Sequence, residues 1–276
     1  MVRERIADDI YVFTSKQYAQ VTAGAIMTKE GVVLIDTLFF PEETKEMRDF
    51  LEGRLGHTIK YVINTHYHAD HTQGTYLFPH AQVASHRLCR ELLDTAGREG
   101  LAEAKSQMAE LADVEIVLPD LVYDDGIMSL HIGGKTIELH HFPGHSLDIS
   151  AVFVANERIL FASDNSMPVP TIFDGGYQDL VDSMHGMLAL NPDTVVRGHG
   201  EVMLRGEVAA RIEDDLAYLD AIKTAVTQVV DKGQSPDALD HINIEDCGKS
   251  RIPLNGLVVD LHHANLQRLY QELTQN

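Results

Sequence analysis

Four potential metal ligands crowd into six residues of this chain, His66-Tyr67-His68-Ala69-Asp70-His71. Imidazole nitrogen and carboxylate oxygen are the donors that borderline cations such as zinc and iron accept, and three histidines beside an aspartate gain nothing structurally from such density. The run therefore predicts a metal-binding turn. It cannot complete two coordination shells alone, so a metal centre requires further ligands on comparable loops. The chain supplies three: His145 in Phe142-Pro143-Gly144-His145-Ser146, Asp164 in Phe161-Ala162-Ser163-Asp164-Asn165, and His199 in Arg197-Gly198-His199-Gly200. Each follows an apolar, strand-like run and sits among glycine or small residues, which let backbone approach a crowded site.

The elements that must position these residues are legible in the hydrophobic pattern. Ile10-Tyr11-Val12-Phe13, Gly24-Ala25-Ile26-Met27 and Val32-Val33-Leu34-Ile35 read as a strand meander. Pro41 to Leu55 reads as a helix, with proline in its first turn and Gly56 beyond its end. Tyr61 to Asn64 returns to a strand, which puts the histidine run on the loop beyond a strand's carboxyl end, where open sheets place their sites. Ala81 to Ala84 predicts another strand, with Ser85 capping a helix from His86 towards Ala96 and a second helix from Leu101 to Leu111. Residues 129–132, 136–142, 149–155 and 159–162 predict strands, with Gly133-Gly134 as a hairpin turn. A helix over 178–190, a last strand at 194–196, and helices over 207–230 and 259–273 complete the reading. Two strand-rich halves, each followed by helix, suggest two face-to-face sheets with helices outside. The expected division is residues 1–206 as an α/β domain and 207–276 as a helical extension packed on it.

With 42 acidic against 22 basic residues and a formal charge of −20, binding to phosphate backbones is opposed electrostatically, and no nucleic-acid partner is expected. The first residues lack the apolar core of a signal peptide, and no run approaches a membrane span, so the expected setting is soluble and cytoplasmic, without membrane association. Cys89 and Cys247 are far apart and outside any C-x-x-C pattern, and both are expected to be buried thiols.

The ordered set His66-x-His68-x-Asp70-His71, His145, Asp164 and His199, with Asp36 in Leu34-Ile35-Asp36-Thr37, resembles the metallo-β-lactamase superfamily over roughly the first three quarters of the chain. The resemblance implies an αββα four-layer sandwich with a binuclear metal site along the edge where the sheets meet. Carried over by position, His66, His68 and His145 would hold one ion, Asp70, His71 and His199 the other, and Asp164 would bridge both. Two divalent ions are thus implied, zinc being the expected metal and iron or manganese the alternatives. Two metals about 3.5–4 Å apart can share a hydroxide that attacks an electrophilic centre, with Asp70 as a group that could orient it. Asp36 is expected to orient a ligand rather than to be one. Tyr177 lies in a loop that the resemblance places near the substrate entrance, where its hydroxyl could donate to a developing oxyanion or simply line the rim. Met167, Ile172 and Phe173 would make that loop's wall apolar or cover the core.

Aspartate at 164 resembles the glyoxalase II-like, lactonase-like and phosphodiesterase branches more than the dedicated antibiotic-hydrolysing ones, and histidine at 68 departs from the flavodiiron pattern. The expected function is metal-dependent hydrolysis of a small carboxylic ester, lactone or thioester. Lys249, Arg251 and Arg268 are candidates for holding a glutathione moiety. A persulfide dioxygenase-like enzyme with one iron is the alternative from another class. Phosphodiesterase or weak promiscuous β-lactamase activity, and a non-catalytic binding protein, are further alternatives.

Overall fold

Strand residues alternate between two hydrophobic layers, and that alternation builds the molecule. The computed structural model describes residues 1–275. Seven strands, β1 (Val2–Ala7), β2 (Ile10–Thr14), β3 (Thr22–Thr28), β4 (Gly31–Ile35), β5 (Ile59–Ile63), β6 (Gln82–His86) and β7 (Leu121–Tyr123), lie side by side in chain order. The first four pair antiparallel and the rest parallel. A second sheet of five runs β12 (Thr194–Arg197), β11 (Ile159–Ser163), β10 (Ser150–Val154), β9 (Lys135–His141), β8 (Ile127–Ile132). Val33, Ile35 and Ile63 from one sheet meet Val152, Val154, Phe161 and Val196 from the other in a buried layer between them. Their sequence neighbours Val32, Leu34 and Val62 point outward onto α1 (Pro41–Arg48) and the wider turn that continues it, through Met47, Phe50 and Leu51.

The second sheet turns Ala151, Phe153, Leu160 and Val195 outward onto α5 (Tyr177–Ala189), α6 (Val208–Asp231) and α7 (Val258–Thr274). Four layers result, helix on sheet on sheet on helix, as the αββα expectation required. Gly24 shows how close the sheets come: a Cβ there would stand 2.3 Å from the Phe161 ring. α2 (Ala69–Thr72) is a single turn that begins inside the histidine run, and α3 (Arg87–Leu92) and α4 (Arg98–Gln107) lie between β6 and β7.

Most expected elements are present with ends shifted by a few residues. Ser85 does not cap the helix after β6: it belongs to the strand, and His86 caps instead, its Nδ1 accepting from the Leu88 N–H. β1 was unmarked in the sequence because its residues, Val-Arg-Glu-Arg-Ile-Ala, are mostly exposed at a sheet edge. Cys89 and Cys247 are both buried free thiols. No helix of the described residues is long and apolar enough to cross a membrane.

Residues 207 onward share one hydrophobic layer with the second sheet and α5, and a buried ion cluster ties them to the strand that carries His199. Asp215 on α6 accepts from Arg197 of β12 at 3.4 Å and from Lys249 Nζ at 2.7 Å, and all three side chains are buried. Removing the carboxylate strands the buried Arg197 guanidinium and leaves Lys249 with Asp214 alone. We expect Asp215→Ala to cost about 3–5 kcal/mol in urea unfolding of the metal-free protein; a loss within error of zero would show the cluster to be energetically idle.

Candidate metal centre

Every residue of the predicted constellation arrives at one point from the end of a strand. β5 delivers His66, His68, Asp70 and His71 on the loop and short helix that follow it, β9 leads to His145, β11 to Asp164, and β12 to His199. The backbone there is held in uncommon conformations: Ala19, Gln20, Asp36, Leu38 and Ser163 all have positive φ. Non-glycine residues adopt such angles only where surroundings impose them, and they collect at functional sites.

The seven side chains fall into two sets. His66, His68, His145 and Asp164 offer ligand atoms within 4.8 Å of one another, as do Asp70, His71 and His199. His68 Nδ1 lies 2.9 Å from His66 Nε2 and 3.1 Å from His145 Nε2. Asp164 faces both sets: its Oδ2 is 3.4 Å from His145 Nε2 and 3.4 Å from His199 Nε2, and its Oδ1 is 3.1 Å from His71 Nε2. Asp70 Oδ2 lies 3.3 Å from His199 Nε2 and 3.8 Å from His71 Nε2.

Outer partners fix the rings. His71 Nδ1 donates to Asp36 at 2.8 Å, His145 Nδ1 to the Thr171 carbonyl at 2.8 Å, and His199 Nδ1 to the Ala19 carbonyl at 2.9 Å. Each bond turns the Nε2 towards the centre, the arrangement that prepares an imidazole to bind a metal. Asp36 also accepts from the Thr65 N–H and hydroxyl, both at 2.8 Å, so it orients His71 as expected of it. Asn265 of α7 receives the Ile172 N–H at 2.8 Å and donates to the Pro170 carbonyl at 2.7 Å. The C-terminal helix thereby holds the segment whose Thr171 carbonyl orients His145.

The charge pattern supports a cation at the convergence point. Burial opposes charge on His71, yet Asp164, Asp70 and Asp36 overcome it and hold the ring well above the ordinary histidine range. The same contest, with Asp164 and Asp70 prevailing over burial, takes His199 up to about 10. Burial would raise Asp70 and Asp164, but His71 and His199 bring Asp70 down to about 2 and hold Asp164 well below the carboxylate range. Burial pushes His66 well down and His145 to about 4. The carboxylates around His71 and His199 thus favour positive charge at this point. His71 Nε2 and Asp164 Oδ1 face each other at 3.1 Å, both buried and neither in a hydrogen bond. Buried groups left this way are costly, and a shared cation satisfies both. The donor set fits divalent metal.

A cavity of about 280 Å³ opens above this centre. Its floor includes His68, Asp70, His145, Asp164 and His199, and its walls include Tyr18, Met167, Phe173, Leu257 and Leu261. Tyr177 does not line it. The first residue of α5, it is buried in the layer beneath the second sheet, with Lys223 4.3 Å above its ring. Phe173, by contrast, packs its ring 4.8 Å from that of His68. His262 donates from Nε2 to the Ile242 carbonyl and accepts at Nδ1 from the Tyr218 hydroxyl inside the helical layer, and the His86 and His141 rings stack 3.8 Å apart away from the centre. Sequence reasoning missed Tyr67 and Asp174, whose hydrogen bond sets the Asp174 carboxylate 3.8 Å from His68 Nε2. It also missed Tyr18, Leu257 and Leu261. Tyr67 stood inside the histidine run; no pattern marked the others.

The comparisons agree with this geometry. A hydroxyacylglutathione hydrolase of Pelagibacter ubique (strain HTCC1062) is 27% identical over 56% of this chain and 57% of its own length. The 2,4-dinitroanisole O-demethylase subunit alpha of Nocardioides sp. (strain JS1661) is 28% identical over 73% of this chain and 60% of its own. The chain thus spans under two thirds of the length of these relatives. Among solved structures, a stereoselective inverting sec-alkylsulfatase from Pseudomonas sp. superposes with a TM-score of 0.75 at 15% identity, over 98% of this chain and 50% of that one. A metallo-beta-lactamase from Pontibacter korlensis gives 0.64 at 21%, over 79% and 98%. The family model described as the metallo-beta-lactamase superfamily matches residues 19–199, from the Ala19 carbonyl that orients His199 to His199 itself, and the chain belongs to that superfamily.

Proposed function

We propose that this chain is a metal-dependent hydrolase that cleaves a small carboxylic ester, lactone or thioester at a pair of divalent cations. The observation that carries the reading is the division of the ligand atoms into two neighbouring sets, with Asp164 facing both. Hydroxyacylglutathione hydrolases and an atrochrysone carboxyl ACP thioesterase of Claviceps purpurea (strain 20.1) among the similar proteins lend support. His66, His68 and His145 would hold one ion, Asp70, His71 and His199 the other, and Asp164 both. When bound, such ions bring the pKa of water to around 7 and polarise a carbonyl oxygen.

The chain's own groups do the rest. Asp70 lines the cavity, where its carboxylate can orient a water by accepting its hydrogen bond. The Asp36, Thr171 and Ala19 acceptors keep the imidazoles from turning, so no reorganisation is needed as charge develops. Phe173 covers His68 and His145 from one side and keeps bulk water from that face. Zinc is the proposed ion, with iron or manganese admitted by supply.

Elemental analysis joined to a panel of esters, lactones, thioesters, phosphodiesters and aryl ethers tests the proposal. We expect two ions per chain, turnover lost on chelation and restored by metal, and proton release on metal uptake at neutral pH, since His71 and His199 must give up their protons. One iron per chain with sulfur-dependent oxygen consumption, or no turnover across the panel, would overturn it.

A further inference from the structure

We infer that the substrate's body, away from the bond that is cleaved, is apolar and uncharged, so that the thiol or alcohol it releases is not an anionic carrier such as glutathione. The inference rests on the hydrolase reading and specifies its substrate class. Beyond the metal-facing floor, the cavity wall is aromatic and aliphatic, and among the described residues none of the side chains lining it is Lys or Arg. Phe173, Tyr18 and Leu257 are exposed to 61%, 38% and 38%, and all three border this cavity. Apolar side chains left in solvent around one opening mark a surface that gains from covering. Phe173 lies edge-on to His68 and stacked beside His145, so a chain or ring packed on it reaches the cluster directly.

The basic residues that could have held an anionic carrier are committed elsewhere. Lys249 binds Asp214 and Asp215, Arg251 binds Glu245, and Arg268 donates to the Gly175 carbonyl. Lys16 belongs to a different cleft, shared with Glu4 and Glu201. An anionic group held against the apolar wall, away from the floor, would lose water without finding a basic side chain, a cost that an apolar group of the same size does not meet. The chain's charge of −20 adds repulsion at longer range. At about 280 Å³ the space suits a small substrate, near the lower end of ordinary ligand sites.

The test compares butyryl thioesters of N-acetylcysteamine, which is neutral, and of glutathione, which is anionic, on the metal-loaded protein. The neutral thioester should have the higher kcat/KM by at least about tenfold, and acetyl-to-butyryl extension should raise it by roughly fourfold per buried methylene. Phe173→Asp, at an exposed position, should lower kcat/KM for the neutral butyryl thioester by roughly tenfold or more. Leu257→Lys should shift the ratio towards the glutathione thioester by up to about fivefold. Calorimetry on the metal-free protein gives a readout independent of turnover: the S-butyl thioether of N-acetylcysteamine should bind more tightly than S-butylglutathione. Equal or faster turnover of the glutathione thioester leaves the hydrolase reading standing and overturns the inference. If neither thioester turns over, the hydrolase reading is decided by the wider panel, and equal or tighter binding of S-butylglutathione in the calorimetry overturns the inference.

Discussion

Asp164→Ala is expected to lose about a thousandfold or more in kcat/KM and to retain at most one ion per chain. The expectation follows from the position of a single carboxylate between two ligand sets. Its Oδ2 faces His145 and His199, and its Oδ1 faces His71. No neighbouring side chain can replace it: Asp36 is held by Thr65 and His71, and Asp70 already belongs to one set. Removing it leaves His71 and His199 facing one fewer counter-charge, so each set loses both a ligand and the field that draws a cation in. Elemental analysis of the purified variant separates this account from simple unfolding, provided far-ultraviolet circular dichroism shows the native fold. Two retained ions with near-normal turnover would contradict the shared-ligand assignment.

Gly198→Ala should lower kcat/KM by about a hundredfold, the usual effect of displacing a reacting constellation by about 1 Å, without touching any ligand. A Cβ at Gly198 would stand 1.8 Å from Asp164 Oδ1 and 2.7 Å from the Asp164 nitrogen. Gly198 cannot yield, because its N–H donates to Ser163 and Ser166 and its carbonyl receives the Thr22 N–H. The carboxylate must therefore move, and metal content should fall with activity. Gly53→Ala is the matching control, since nothing lies within 4 Å of its added Cβ. Wild-type metal content in Gly198→Ala would show that Asp164 has more freedom than its packing implies.

How much of this was legible beforehand differs between ligands and cavity. The histidine run, His145, Asp164 and His199 stood out because donor chemistry resides in the residue itself and because each followed an apolar run that could end as a strand. The strands were legible for a related reason: Val32 to Ile35 and Ile159 to Ala162 are apolar throughout, and the structure buries both of their faces. β1 escaped notice since an edge strand pairs through its backbone and leaves charged side chains in solvent. Tyr177 illustrates the opposite failure. Its position after the two glycines suggested the entrance, but the start of α5 turns its ring into the helical layer, while Phe173 four residues earlier takes the wall.

The sequence by itself determined the candidate ligand residues, the layered architecture and the acidic balance, because residue type, apolar periodicity and net charge are properties of the chain that no partner alters. Only the tertiary structure decided which atoms face which. The two ligand sets depend on parallel pairing of β11 with β12 and on the register that brings loops from residues 66, 145, 164 and 199 to one edge. The apolar wall depends on α7, which returns from the end of the chain to place Leu257 and Leu261 over the centre. Contacts between residues so far apart are chosen by packing and by the satisfaction of buried polar groups, neither of which leaves a local trace.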